Sequence, residues 1–176
     1  RNHSSAASDV YKRQGFNMPE MTLLGWFHTI FGVGALLSGF YTLFAYKIIS
    51  IINFSARLYL CLTLVVAASA LGIYNQGGFG IAHVLAVLTL IAITGGFVME
   101  KYKIFGSMSK YFQALGYTST LLFHMIPAIT DFLRRLPIGD PFIDSFEDPL
   151  LMNFHLSFLL VYLIGISYQM YWLRQQ

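Results

Sequence analysis

Phe79-Gly80-Ile81-Ala82-His83-Val84-Leu85-Ala86-Val87-Leu88-Thr89-Leu90-Ile91-Ala92-Ile93-Thr94-Gly95-Gly96-Phe97-Val98-Met99 runs without a charged residue and is followed at once by Glu100-Lys101-Tyr102-Lys103. An apolar segment of this length crosses about 30 Å of hydrocarbon as a helix. It lacks the strict apolar/polar alternation of a membrane β-strand, so the spanning form is helical. The rest of the chain repeats the pattern. Apolar blocks cover Thr22–Tyr46, Leu58–Tyr74, Met108–Phe132 and Leu150–Leu173, divided by short polar gaps. The expected fold is therefore all-α, a transmembrane helical bundle of about five spans in contact with the lipid bilayer. The whole composition agrees: 56% hydrophobic, 11% charged, mean hydropathy +0.62.

The gaps set the topology. Asn75-Gln76-Gly77-Gly78 reads as a tight turn, because paired glycines supply the positive φ of a reversal. Pro127 lacks an N–H and is expected to kink the end of the fourth block. Five crossings put Lys47, Arg57, Lys101, Lys103, Lys110 and Arg174 on one side, against Arg134 and Arg135 on the other. The positive-inside rule makes the first side cytoplasmic, with the C-terminus. The acidic loop Asp140–Asp148 then lies outside, and the protein is a multi-pass component of the inner (plasma) membrane. Basic residues at helix ends are topology signals and form no nucleic-acid patch. Cys61 stands alone, so neither an intrachain disulfide nor a cysteine metal motif is available.

Residues 1–14 are set apart. Ser4 to Gln14 reads as the in-frame translation of a transposase adapter used in sequencing libraries, and a processing scar of that kind is excluded from fold reasoning together with His3. It is expected to be disordered, with the native start at Met18, at Met21 or upstream. Residues 15–176 are expected to form a single transmembrane helical domain.

The remaining histidines fall on four different blocks: His28, His83, His124 and His155. Counted at 1.5 Å per residue from the helix ends, all four lie roughly 6–12 Å below the outer boundary. Ionisable groups at that depth are costly and tend to face a bundle interior or cavity, although a single interfacial histidine is more often an anchor or a packing residue. On the first helix His28 shares a stripe with Gly25, Gly32, Ala35 and Gly39, a face that admits either a close helix contact or a flat ligand. On the fourth, Gln113, Tyr117, Thr120, His124 and Asp131 form a polar seam. On the fifth, His155, Tyr162 and Gln169 recur every seven residues, as in a bundle seam.

Gly25-Trp26-Phe27-His28-Thr29 and Gly72-Ile73-Tyr74-Asn75-Gln76-Gly77-Gly78-Phe79-Gly80-Ile81-Ala82-His83 resemble a bacterial family of multi-pass membrane proteins classed under a domain of unknown function. Its members similarly open on a Gly-Trp-x-His-Thr helix and place a histidine after a Gly-Phe-Gly turn. The resemblance covers about Leu24–Gly96. It implies a membrane protein, supports His28 and His83, and supplies no reaction. The family's basic, histidine-containing loop is matched here by Ser50–Arg57, which has no histidine, so no role of that family histidine carries over.

Three functions fit. In the first, two of the four histidines ligate a b-type haem (haem b) for electron transfer, with Gly32 and its stripe making room and a redox protein or quinone as partner. In the second, His28, His83, His124 and His155 converge on copper, zinc or iron. In the third, the chain is a non-enzymatic membrane assembly or transport component. No Ser-His-Asp set, phosphate loop, HExxH or GxGxxG pattern supports a hydrolase or nucleotide enzyme.

Overall fold

The computed structural model describes residues 21–74 and 78–176. The leading segment with His3, and the Asn75-Gln76-Gly77 part of the expected turn, lie outside those residues. Among the described residues the fold is all-helical: α1 Leu23–Tyr46, α2 Phe54–Ala70, α3 Ile81–Tyr102, α4 Ser109–Arg135 and α5 Pro149–Arg174, with a single 3₁₀ turn at Gly106–Met108 before α4. Helices α1, α3 and α5 are each long and apolar enough to cross a membrane. Helix α2 has 17 residues, which is about 26 Å and short of a full hydrocarbon core. Helix α4 is the longest at 27 residues, but its Tyr117, Thr118, Thr120 and His124 are buried, so its low hydropathy reflects an inward polar face. Large apolar side chains such as Ile91, Leu156, Val161 and Ile164 stand exposed, which agrees with helices apolar enough to cross a membrane.

The helix ends follow local chemistry. Thr22 caps α1 by accepting the Gly25 N–H at 3.1 Å, and Lys47 ends it in the left-handed region at φ 67°. Asp148 caps α5 by accepting the Leu150 N–H at 2.8 Å, with Pro149 in the first helical position. Helix α2 begins at Phe54, four residues before the expected block, because Asn53 closes the preceding turn back onto Ser50 O at 3.1 Å. Pro127 stays inside a continuous α4. It leaves the Phe123 carbonyl without its helical N–H partner.

Short connections make neighbours antiparallel, and α1, α2, α3 and α4 close into a ring, while α5 packs chiefly on the outside of α4. The end of the ring holding the basic residues is tightly filled. Ala35, Ile49, Ala56, Tyr59 and Tyr117 are fully or almost fully buried there. A Cβ on Gly39 would lie 2.8 Å from the Tyr59 ring, and one on Gly96 would lie 2.6 Å from the Tyr117 ring. A Cβ on Gly116 would lie 2.8 Å from Ala92 O, so α3 and α4 meet backbone to backbone.

A carboxylate locks this end. Glu100 accepts from Ser50 Oγ (2.5 Å), from the Ile51 N–H (3.0 Å) and from Tyr117 OH (3.0 Å). Gln113 Nε2 donates to Ile49 O at 3.1 Å, and Gln169 Nε2 to Lys47 O at 2.7 Å. The loop between α1 and α2 is thereby tied across the end of the ring. Helix α5 is held on α4 by the heptad seam: His155 meets Thr130, Tyr162 meets Ser119, and Gln169 accepts from Thr118.

Candidate functional site

The opposite end of the ring is open. A cavity of about 1740 Å³ enters between the start of α1 and the ends of α2 and α4, with α3 as its far wall. Its deepest side chains are Val33, Val66, Thr89 and Phe123, just above the packed layer of Tyr59, Tyr117 and Leu121. That packed layer closes the cavity's inner end. Small residues of α2 and α3 such as Ala67, Ala70 and Ala86 keep its walls thin, and Asp131, Arg135, Asp140 and Asp144 stand at its mouth.

Two histidines line it, His28 from α1 and His124 from α4. His124 is 8% exposed, and its Nδ1 is 3.0 Å from Thr120 O. A carbonyl only accepts, so Nδ1 carries a proton, and in the neutral ring Nε2 then bears the lone pair. That Nε2 is buried and has no hydrogen-bond partner among the described residues. His28 Nδ1 is 3.0 Å from Ser69 Oγ, whose own hydrogen goes to Val66 O at 2.9 Å. The hydroxyl then accepts from His28 Nδ1–H, and in the neutral ring the lone pair again falls on Nε2. Both rings are thus oriented through Nδ1–H, and in the neutral form each carries its lone pair on Nε2.

The other two histidines have different work. His83 is buried at the start of α3, where its Nδ1 accepts the Gly80 N–H at 3.1 Å in the place a glutamate takes in a capping box. Its ring lies against Tyr74 and Phe79, with centroids 4.7 and 5.1 Å away. His155 Nε2 lies 3.2 Å from Thr130 Oγ1, on the side of α4 that packs against α5. Since Thr130 Oγ1 already donates to Ile126 O, His155 is the donor. Neither residue lines the cavity. The layer expected from depth alone is therefore divided by helix rotation into a cavity pair, a helix cap and a seam residue. A converging set of three or four imidazoles is not formed: among the described residues no group of three or more His, Cys, Asp or Glu is placed to hold a metal ion.

No family model, curated protein or solved structure matches the chain. The cavity's chemistry has to be read from its own side chains.

The glycine stripe serves two purposes at two depths. A Cβ on Gly32 would meet nothing within 4 Å, so this glycine faces the open cavity. Gly39, two turns deeper, receives the Tyr59 ring, and Ala35 is fully buried between them. The close helix contact is made at Gly39, and at Gly32 the same face is an open wall. Thr120 is the residue that sequence reasoning undervalued. It presents its carbonyl to His124 while its Oγ1 hydrogen-bonds Tyr59 OH and donates to Tyr117 O at 2.6 Å. The His124 ring is thus braced against the packed half of the bundle.

Proposed function

We propose that this protein is a membrane redox protein that holds a b-type haem between His28 and His124. The observation supporting this is the pair of imidazoles brought by neighbouring helices of the ring to one cavity, each held by an Nδ1–H bond that makes Nε2 the ligating nitrogen of the neutral ring. That arrangement suits metal ligation, in which the second ring nitrogen donates to a carbonyl or hydroxyl and fixes ring direction and basicity. Haem takes two strong axial nitrogens and a slot walled by apolar and small residues. His28, His124, Gly32, Ala67 and Ala86 offer these. Such a group, when bound, supplies a one-electron couple; the chain's own part is to orient the two imidazoles, exclude water at the packed end and set the polarity around the site. The blind inner end also favours a resident ligand over a path through the membrane.

The proposal includes five crossings of the inner membrane with the C-terminus in the cytoplasm, as the positive-inside rule reads the loops. The cavity then opens outward, toward a quinone or an external redox protein as the electron partner. The likeness of the first three helices to the Gly-Trp-x-His-Thr family belongs to the same proposal.

The deciding experiment is a visible spectrum and metal analysis of the full chain purified from haem-sufficient cells without the adapter-derived leader. A Soret band with about one iron per chain is the expected result. Colourless protein with stoichiometric copper or zinc would replace haem by a metal centre, and protein carrying neither would leave the assembly or transport reading.

A further inference from the structure

We propose that the mouth of the cavity binds the anionic edge of its ligand and that Arg135 is the charge that fixes the ligand's orientation; for a haem, this edge is the pair of propionate carboxylates. The inference rests on the haem reading and adds which way the ring faces. At the bottom of the cavity stand two imidazoles and mostly apolar walls, with no lysine or arginine there among the described residues. Taking an unpaired carboxylate there costs several kcal/mol in general, so an anionic edge is driven to the mouth. At the mouth, Arg135 is the last residue of α4 and lines the cavity. Its side chain is 24% exposed, and its Nε is buried with no hydrogen-bond partner among the described residues. The nearest carboxylate oxygen, Asp131 Oδ1, is 3.8 Å from that Nε, beyond hydrogen-bonding distance. Asp131 is itself 62% exposed and well hydrated, so the pair is weak and yields readily to a better-placed anion. A planar guanidinium is also the side chain best shaped to receive a carboxylate through two parallel N–H bonds.

The mouth is not uniformly positive. Asp140 and Asp144 line it as well, from the loop before α5. They make the anion-binding edge one-sided, so that a carboxylate is received on the α4 side and repelled from the loop side. Arg134 lines the cavity too, but its guanidinium carbon lies 3.8 Å from the Phe146 ring centroid, so it anchors that loop beside Arg135.

The test titrates the purified, haem-free full chain with haemin and with haemin dimethyl ester, whose propionates carry no charge, and follows the Soret band. The quantity read is the affinity ratio of acid to ester, compared between wild type and variants, so that detergent partitioning of the ester cancels. Wild type is expected to prefer the acid by about tenfold more than Arg135→Gln does, the size of one charge-assisted hydrogen bond. Asp131→Asn, which removes the competing carboxylate, is expected to keep or raise the preference and shows that the region tolerates substitution. Equal ratios in wild type and Arg135→Gln, with both ligands bound, would overturn the orientation and leave the haem site standing. A Soret band that stays where the free ligand has it in the same detergent, with both compounds, would overturn the haem reading and the orientation with it.

Discussion

Removing the Glu100 carboxylate should loosen the inner end of the bundle. Glu100→Ala leaves three donors facing each other at the place where the α1–α2 loop crosses α3 and α4: Ser50 Oγ, the Ile51 N–H and Tyr117 OH. Ser50 is 7% exposed, so its hydroxyl is poorly placed to find water. A hydrogen bond to a charged group contributes about 1.5–3 kcal/mol, and an unsatisfied buried donor costs about 1–3 kcal/mol. Glu100 sits at the edge of the packed region and water replaces part of the loss, which brings the expected cost to about 2–4 kcal/mol. For a chain of this size that is a fall of roughly 5–15 °C in midpoint. Thermal unfolding in detergent, followed by circular dichroism, measures it. Glu100→Gln should lie between wild type and Ala, because its amide presents a donor to Tyr117 or to Ile51. A double-mutant cycle with Tyr117→Phe isolates one of the bonds and should show coupling of at least about 0.5 kcal/mol. A midpoint change under about 2 °C for Glu100→Ala, or a cycle that closes to zero, would show that the carboxylate is merely an interfacial charge.

Gly96→Ala should cost about 1–3 kcal/mol, since its Cβ would lie 2.6 Å from the Tyr117 ring, whereas Gly32→Ala, with open space around it, should be neutral or gain up to about 1 kcal/mol from helix propensity; unfolding midpoints of the pair compare a packed glycine of α3 with an open one of α1. His83→Ala and His155→Ala should lower stability by about 1 kcal/mol through the lost cap and seam bond yet leave any bound chromophore's spectrum unchanged, which spectroscopy of the two purified variants would check. With Cys61 replaced by Ala, because it is exposed, a cysteine at Ser145 should react with an impermeant reagent in intact cells and one at Ser107 should not; the reverse pattern would invert the membrane orientation.

Much of the architecture was legible because membrane helices announce themselves through length and hydropathy. Tyr46, the end of the first block, is also the last residue of α1, and the fifth block differs from α5 by one residue at each end. The heptad of His155, Tyr162 and Gln169 correctly marked the seam of α5, since a period of seven on one helix marks one neighbour. Helix rotation was harder to read. Depth could be counted for His83 and His155, but which way each ring pointed depended on Gly80 and Thr130, whose positions are set by tertiary packing. Glu100 looked like the end of a span returning to water. Its partners, Ser50, Ile51 and Tyr117, come from two other segments of the chain, and three of the contacts involve backbone or hydroxyl groups that carry no charge pattern to read.

The pairing of His28 and His124 on a single ligand is most directly tested by the spin state of haem in the purified chain, in wild type and in His28→Gly and His124→Gly, each with and without free imidazole. If His28 and His124 both ligate a haem, the wild-type iron is expected to be low-spin and six-coordinate; each glycine variant should lose one ligand and turn high-spin, and imidazole entering the vacated space should restore the wild-type spectrum. Wild type that binds no haem, or a low-spin spectrum that survives both substitutions unchanged, would contradict the pairing.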